Sequence, residues 1–185
     1  MNEVTIQQIN SIVFMEKLNL FAKPDVILFH PGHFPELNKQ LLDYYHQFDA
    51  KLIMIPSVFN TFLNSSEYDY YRPLLMREGV EKEKLKAIPP NSINGVEGVI
   101  QSAFQYINES TNQNILLAGK SFFSRRFYLL SSLYAKQGKI IDVLPLVDDR
   151  KITPTSWMKS EKGRARVLNE VEQYGNIIRK QLNVL

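Results

Sequence analysis

Cysteine is absent from the 185-residue sequence, and glycine is sparse, with eight. Without thiols there is no disulfide framework, no Cys-ligated zinc, no iron–sulfur cluster and no thiol nucleophile. A strong excess of one charge is also lacking. The 22 Lys+Arg stand against 19 Asp+Glu, and a net charge of +3 is too small to make nucleic acid the expected partner. Long apolar runs are missing as well. Near the N-terminus the longest is Ile12 to Met15, far short of a signal-peptide core or of the roughly 20 residues that span a bilayer. The chain therefore reads as cytoplasmic, with no membrane span. What is present, 44% hydrophobic and 22% charged residues, is the balance of a globular protein, and the length suits one domain.

Helical and extended patterns alternate along the chain. Thr5 and Gln8 suggest a capping box for a first helix with Ile6, Ile9, Ile12 and Val13 on one face. Val26–Phe29 is a continuous apolar run of the kind found in buried parallel strands. A helix from near Pro35 follows, with Leu37, Leu41, Tyr44, Tyr45 and Phe48 in its stripe, and then a strand over Leu52–Ile55. Phe59–Ser66 reads as a loop, Glu67–Glu78 as a helix interrupted or shortened by Pro73, and Leu85–Ile88 as a short strand. A helix carrying Val96, Val99, Ile100, Ala103, Phe104 and Ile107 inward precedes a strand over Ile115–Ala118 and a tight turn over Gly119–Ser121. The pattern then predicts a helix over Phe122–Gln137, a strand over Ile140–Leu144, a long connection, and a terminal helix with Val167, Val171, Tyr174, Ile178 and Leu182 on one face. No repeat or linker divides the chain. It reads as one α/β domain over 1–185, with residues 1–23 forming an N-terminal helix packed on it and 159–185 a C-terminal helix.

Strands alternating with helices imply a mainly parallel sheet of about five strands in a three-layer α/β/α sandwich. In such sheets ligands bind beyond the carboxyl ends of the strands. Four turns fall on that edge: His30–His33, Ser57–Asn60, Asn91–Glu97 and Gly119–Arg126. In the third, Asn94 and Glu97 have the spacing of a helix cap and capping box. Gly95 and Gly98 in one helical turn also suit close approach to a ligand, so the two readings stand together. In the fourth, beside Ser121, the three cations Lys120, Arg125 and Arg126 cluster at a helix start, where they oppose the macrodipole by about 0.3–1 kcal/mol each when exposed. That arrangement suits a shared anion. The alternative is that one Arg pairs with Glu97 while the other is solvated.

Other features carry less. His30 and His33 lack an obvious third ligand apart from Glu36, so no metal is expected. Gly32 permits close backbone approach after the first strand, yet neither a dinucleotide fingerprint nor a Walker loop is present. Tyr68, Tyr70, Tyr71 and Arg72 read as packing, and Lys159, Lys162, Arg164 and Arg166 as a solvated helix face. Asp148 and Asp149 are acidic neighbours without an evident acid–base partner.

In this order of pieces the chain resembles the YdcF-like family, the cytoplasmic branch of the SanA/ElyC/YdcF group, over most of its length. The resemblance is carried by Leu28-Phe29-His30-Pro31-Gly32, by Glu67 ahead of a helix ending in Gly79-Val80, by Ser92-Ile93-Asn94-Gly95-Val96-Glu97-Gly98, and by Leu116-Leu117 leading to Arg126. It departs from the pattern at Gly95 and Gly98, where the group usually has Thr and Asn, and at Phe123, where many members carry His. The resemblance implies a Rossmann-like sandwich that binds S-adenosylmethionine, with no assigned reaction. Ligand-facing residues would then include Gly32, Ser57, Ser92, Asn94 and Glu97 on the first three turns. Lys120, Ser121, Arg125 and Arg126 would face the ligand from the fourth. Glu97 would take ribose hydroxyls or an ammonium, and Arg126 a carboxylate. A nucleotide or sugar phosphate suits the cations equally well. Two expectations follow: a binder or enzyme, of transferase or hydrolase type, acting on S-adenosylmethionine or a nucleotide-like anionic ligand, or a non-catalytic interaction module linked to the cell envelope.

Overall fold

The computed structural model describes residues 1–183, so the last two positions of the expected terminal helix lie outside it. Five strands form one parallel sheet: β1 (Val26–His30), β2 (Leu52–Pro56), β5 (Leu85–Ile88), β6 (Asn114–Lys120) and β7 (Ile140–Leu146), in the order β5-β2-β1-β6-β7. A two-residue hairpin, β3 (Phe59–Asn60) with β4 (Ser65–Ser66), stands apart from it. The apolar runs of β1, β2 and β6 are buried on both faces, which is why they read as continuous rather than alternating. The expected three-layer Rossmann-like sandwich is thus the observed architecture.

Two helices cover one face and four the other. α2 (Leu37–Phe48) and α3 (Glu67–Arg77) pack Leu37, Leu41, Tyr71 and Leu75 against Ile27, Phe29, Ile53 and Leu116. On the opposite face, α1 (Glu3–Val13), α4 (Gly95–Glu109), α5 (Ser124–Tyr134) and α6 (Glu161–Leu182) bring Val13, Ile100, Phe104, Phe127 and Val167 onto Leu28, Met54 and Leu117. No helix among the described residues is long and apolar enough to cross a membrane.

Several local expectations are corrected. α1 is capped by Asn2, whose side chain accepts from the Thr5 amide at 2.8 Å, and it stops at Val13 rather than running on to residue 23. The segment after it is extended because it is held from the sheet: the Leu18 and Leu20 amides donate to the fully buried Asp142 carboxylate of β7 at 2.8 and 3.1 Å. Residues 59–66 form the β3–β4 hairpin, not an irregular loop. α3 continues through Pro73. Gly119 and Lys120 belong to β6, paired with Pro145 and Leu146, and α5 begins at Ser124 after a single tight turn. The apolar stripe of α6 is buried only in its first half; Ile178 and Leu182 are exposed.

The α4 entry is also built differently. Asn94 occupies the N-cap position but makes no side-chain cap bond. Asn91 organises the turn instead, accepting from the Ile93 amide and donating to Gln101, both at 2.8 Å. Gly95 adopts a left-handed φ of 78°, and a Cβ on Gly98 would lie 1.8 Å from the Ile93 carbonyl oxygen. Both glycines therefore have local backbone reasons. Gly98→Ala should force the 91–94 turn off the helix and cost about 1–3 kcal/mol or more, lowering the melting temperature by several degrees. A variant melting like the wild type would show that the turn relaxes freely.

Candidate functional site

The order of the strands locates the site. β1 lies beside β6, yet the chain leaves β1 toward β2 on one side and β6 toward β7 on the other. This is a topological switch point, where the flanking connections diverge and leave a crevice at the carboxyl ends. His30 ends β1 opposite Gly119, and Lys120 ends β6.

A cavity of about 210 Å³ lies there, with His30, Lys120, Phe123, Arg126, Arg150 and Arg166 in its walls. It opens past His33, Phe34, Arg150 and Arg166 into a shallower basin of about 550 Å³ that also takes in Lys162 and Asn169. Gly32, with φ of 63°, turns the chain over Lys120; a Cβ there would lie 2.7 Å from Nζ. The Phe34 ring sits under two cations, 4.6 Å from Lys120 Nζ and 4.2 Å from the Arg150 guanidinium carbon. Its neighbour His33 packs between Phe34 and Phe62, at ring distances of 4.1 and 4.3 Å. His30 packs on Phe123 and Phe127.

The charges divide into compensated and uncompensated. Arg126 is tied to Glu170 of α6 through Nε at 2.6 Å and a second nitrogen at 3.0 Å. Their side chains are 16% and 4% exposed. Arg150 holds the buried Asp148 carboxylate at the start of the connection after β7. Lys120 and Arg166 have no acidic partner among the described residues. Burial pushes the Lys120 ammonium down to about 8, helped by the charge of Arg150 and opposed by Glu67 and Asp148. Burial likewise holds His30 below its ordinary value, with Lys120 and Arg126 adding to the effect against Glu67. His33 is lowered by burial and by Lys120 and Arg150. Both imidazoles are therefore neutral near pH 7. Glu67, 7% exposed, accepts from the Asn60 amide at 3.1 Å through Oε1, while Oε2 has no hydrogen-bond partner.

Of the residues expected to face a ligand, the fold brings Gly32, Lys120 and Arg126 to this cavity. The others go elsewhere. Ser57 lines a separate groove between the β5 edge of the sheet and α4, with Lys86 and Tyr106. Ser92 and Asn94 lie in the turn before α4, outside the cavity wall. Glu97 accepts from Tyr134 Oη at 2.7 Å and from Lys180 Nζ at 3.0 and 3.1 Å, joining α4 to α5 and α6. Burial raises its carboxyl, but those two hydrogen bonds outweigh it and leave the group below its ordinary range. Ser121 is buried, its carbonyl accepting from Ser124 Oγ. Arg125 reaches back to the Phe14 carbonyl at 3.3 Å. The cations at the α5 start thus do not share one anion: Lys120 is a strand residue, Arg125 faces the N-terminal segment, and neither Arg pairs with Glu97.

Arg150, Arg166 and Glu170 were not legible as site residues. Arg166 looks like part of a solvated basic face, and only the docking of α6 over the strand ends places it here. Among the described residues no group of three or more His, Asp or Glu is arranged to hold a metal. No protein-family model, curated protein or solved structure matches the chain.

The Arg126–Glu170 pair should behave as a buried ion pair. Removing one partner strands the other's charge and typically costs about 3–5 kcal/mol, so Glu170→Leu or Arg126→Met alone should destabilise strongly in denaturant melts. The double substitution should recover most of that loss. Additive losses would mean that the two side chains act independently.

Proposed function

We propose that the chain binds a small phosphate-bearing ligand, of nucleotide or sugar-phosphate type, at the switch point between β1 and β6. The observation that carries this reading is the pair of uncompensated cations, Lys120 and Arg166, on one partly enclosed cavity. Lys120 is partly buried, and buried charges are ordinarily paired. Arg166 is exposed at the rim, and an anion between them would supply the missing partner with charge-assisted hydrogen bonds. Gly32 supports it, because its left-handed φ of 63° turns the bare backbone directly over the Lys120 amine.

S-adenosylmethionine, implied by the YdcF-like resemblance, is a second reading. The Glu67 carboxylate favours it only from behind the cavity wall, where its charge acts on Lys120 and His30 and one oxygen is unpartnered. Against it, the sulfonium and ammonium of that ligand would sit among cations already in excess, and only its carboxylate would gain. The charge of the cavity therefore favours phosphate.

Thermal shift with inorganic phosphate, adenine nucleotides, sugar phosphates and S-adenosylmethionine separates these readings. A ligand at 100 times its dissociation constant adds about 2.7 kcal/mol, or roughly 5–10 °C for a chain of this size. Phosphate compounds should produce it, and Lys120→Met or Arg166→Met should weaken binding at least tenfold. Because the Lys120 ammonium is lost as pH rises through about 8, affinity should fall between pH 7 and 9, and Lys120→Arg should flatten that dependence. A shift with S-adenosylmethionine alone would remove the phosphate reading.

A further inference from the structure

We propose that Lys120 is a covalent-attachment residue, its amine condensing with the carbonyl carbon of a phosphate-bearing aldehyde or ketone held in the strand-end cavity. This rests on the phosphate reading of the same site and narrows the ligand to one that also carries a carbonyl group.

The geometry suits an amine nucleophile better than a structural lysine. Nζ emerges from the last residue of β6, so its backbone is fixed by the ladder to β7. The amine is confined by the bare turn at Gly32 and the face of Phe34. No carboxylate forms an ion pair with it among the described residues. The charged groups acting on it are Arg150 from the connection after β7 and, more weakly, Arg166 from α6, opposed by the acids Glu67 and Asp148. A lysine desolvated against an aromatic wall and set beside other cations loses its proton near pH 8 rather than 10.5, which raises the neutral fraction that nucleophilic attack requires. The same neighbours, Arg150 and Arg166, are placed to take the phosphate, and the inner chamber of about 210 Å³ fits a small sugar phosphate.

The step balances without a redox partner. The Nζ lone pair forms a C–N bond to the carbonyl carbon while the carbonyl π pair moves to oxygen. One amine proton passes to that oxygen, giving a carbinolamine. The hydroxyl then leaves as water with a second proton, and the nitrogen lone pair closes the C=N bond. His30, neutral and on the same cavity wall, is positioned to relay these protons.

The probe is pyridoxal phosphate, which carries both an aldehyde and a phosphate. The full chain is incubated with one equivalent, reduced with borohydride, and mapped by peptide mass spectrometry. The expected result is a single adduct on Lys120, suppressed at least tenfold by excess inorganic phosphate and at least tenfold slower to form with pyridoxal lacking the phosphate. Adducts spread over surface lysines with Lys120 unmodified would overturn the covalent step, and a thermal shift by phosphate in the same sample would leave the binding reading standing. Labelling of Lys120 by pyridoxal and pyridoxal phosphate alike, with no shift by phosphate, would overturn the proposed ligand class together with the binding reading. Lys120→Arg should abolish the adduct while keeping the phosphate shift.

Discussion

The parallel pairing of β1 with β6, which sets His30 beside Gly119, is the constraint on which the site depends. From β1 the chain moves outward through β2 to β5, then returns across the sheet to β6 and moves outward again to β7. The segments following the two central strands must therefore depart to opposite faces, α2 to one and α5 to the other. Nothing of the sheet remains to fill the space between them. The first residues beyond each strand line that space, so one turn supplies Gly32 and His33 while the neighbouring strand end supplies Lys120.

Charge within this crevice is arranged by elements far apart in sequence. Glu170 neutralises Arg126, and Asp148 neutralises Arg150. These pairs fix two guanidinium groups in position at the wall without leaving their charge uncompensated. Lys120 and Arg166 are treated differently, and the aromatic rings of Phe34 and Phe122 cover part of each rather than a carboxylate. Cation–π contact of this kind is worth about 0.5–2 kcal/mol, less than a buried carboxylate would contribute. The positive potential at the cavity is thus concentrated on the two groups that no acid holds.

The fold was legible because its signals are local and repeated. Apolar runs at residues 26–29, 52–55 and 115–118, separated by helical stripes, leave few alternatives to a parallel sheet, and its carboxyl edge follows from that. The cavity was legible only where a strand end supplies it, as at Gly32 and Lys120. Glu97 shows the limit: its spacing from Asn94 is right for a capping box, but its carboxylate is claimed by Tyr134 and Lys180, 37 and 83 residues away. Arg166 shows the converse. One cation in a basic helical stretch reads as solvated and is exposed, and only the packing of α6 beside the turn after β6 brings it to the rim of the cavity, which spacing does not encode. Gly98 gave a correct signal with the wrong cause, because the backbone that approaches it belongs to its own turn.

Lys120 carries an energetic cost of its own. Lowering an ammonium from 10.5 to about 8 means that its charged form costs roughly 3 kcal/mol relative to water, a sizeable share of the 5–15 kcal/mol that holds a domain together. A Met in its place would fill similar volume against Phe34 without that penalty, so packing gives no reason for the lysine. Nor does the helix that follows require it, since Lys120 lies in the strand and α5 begins four residues later. Stability set aside in a single side chain at the mouth of a cavity is the pattern expected where a group is kept for what it binds or reacts with. The glycine opposite it has the same character, for Gly32 accepts backbone freedom and a left-handed φ to turn the chain directly over the lysine amine. The two residues make sense together, and their common purpose lies in the cavity rather than in the core.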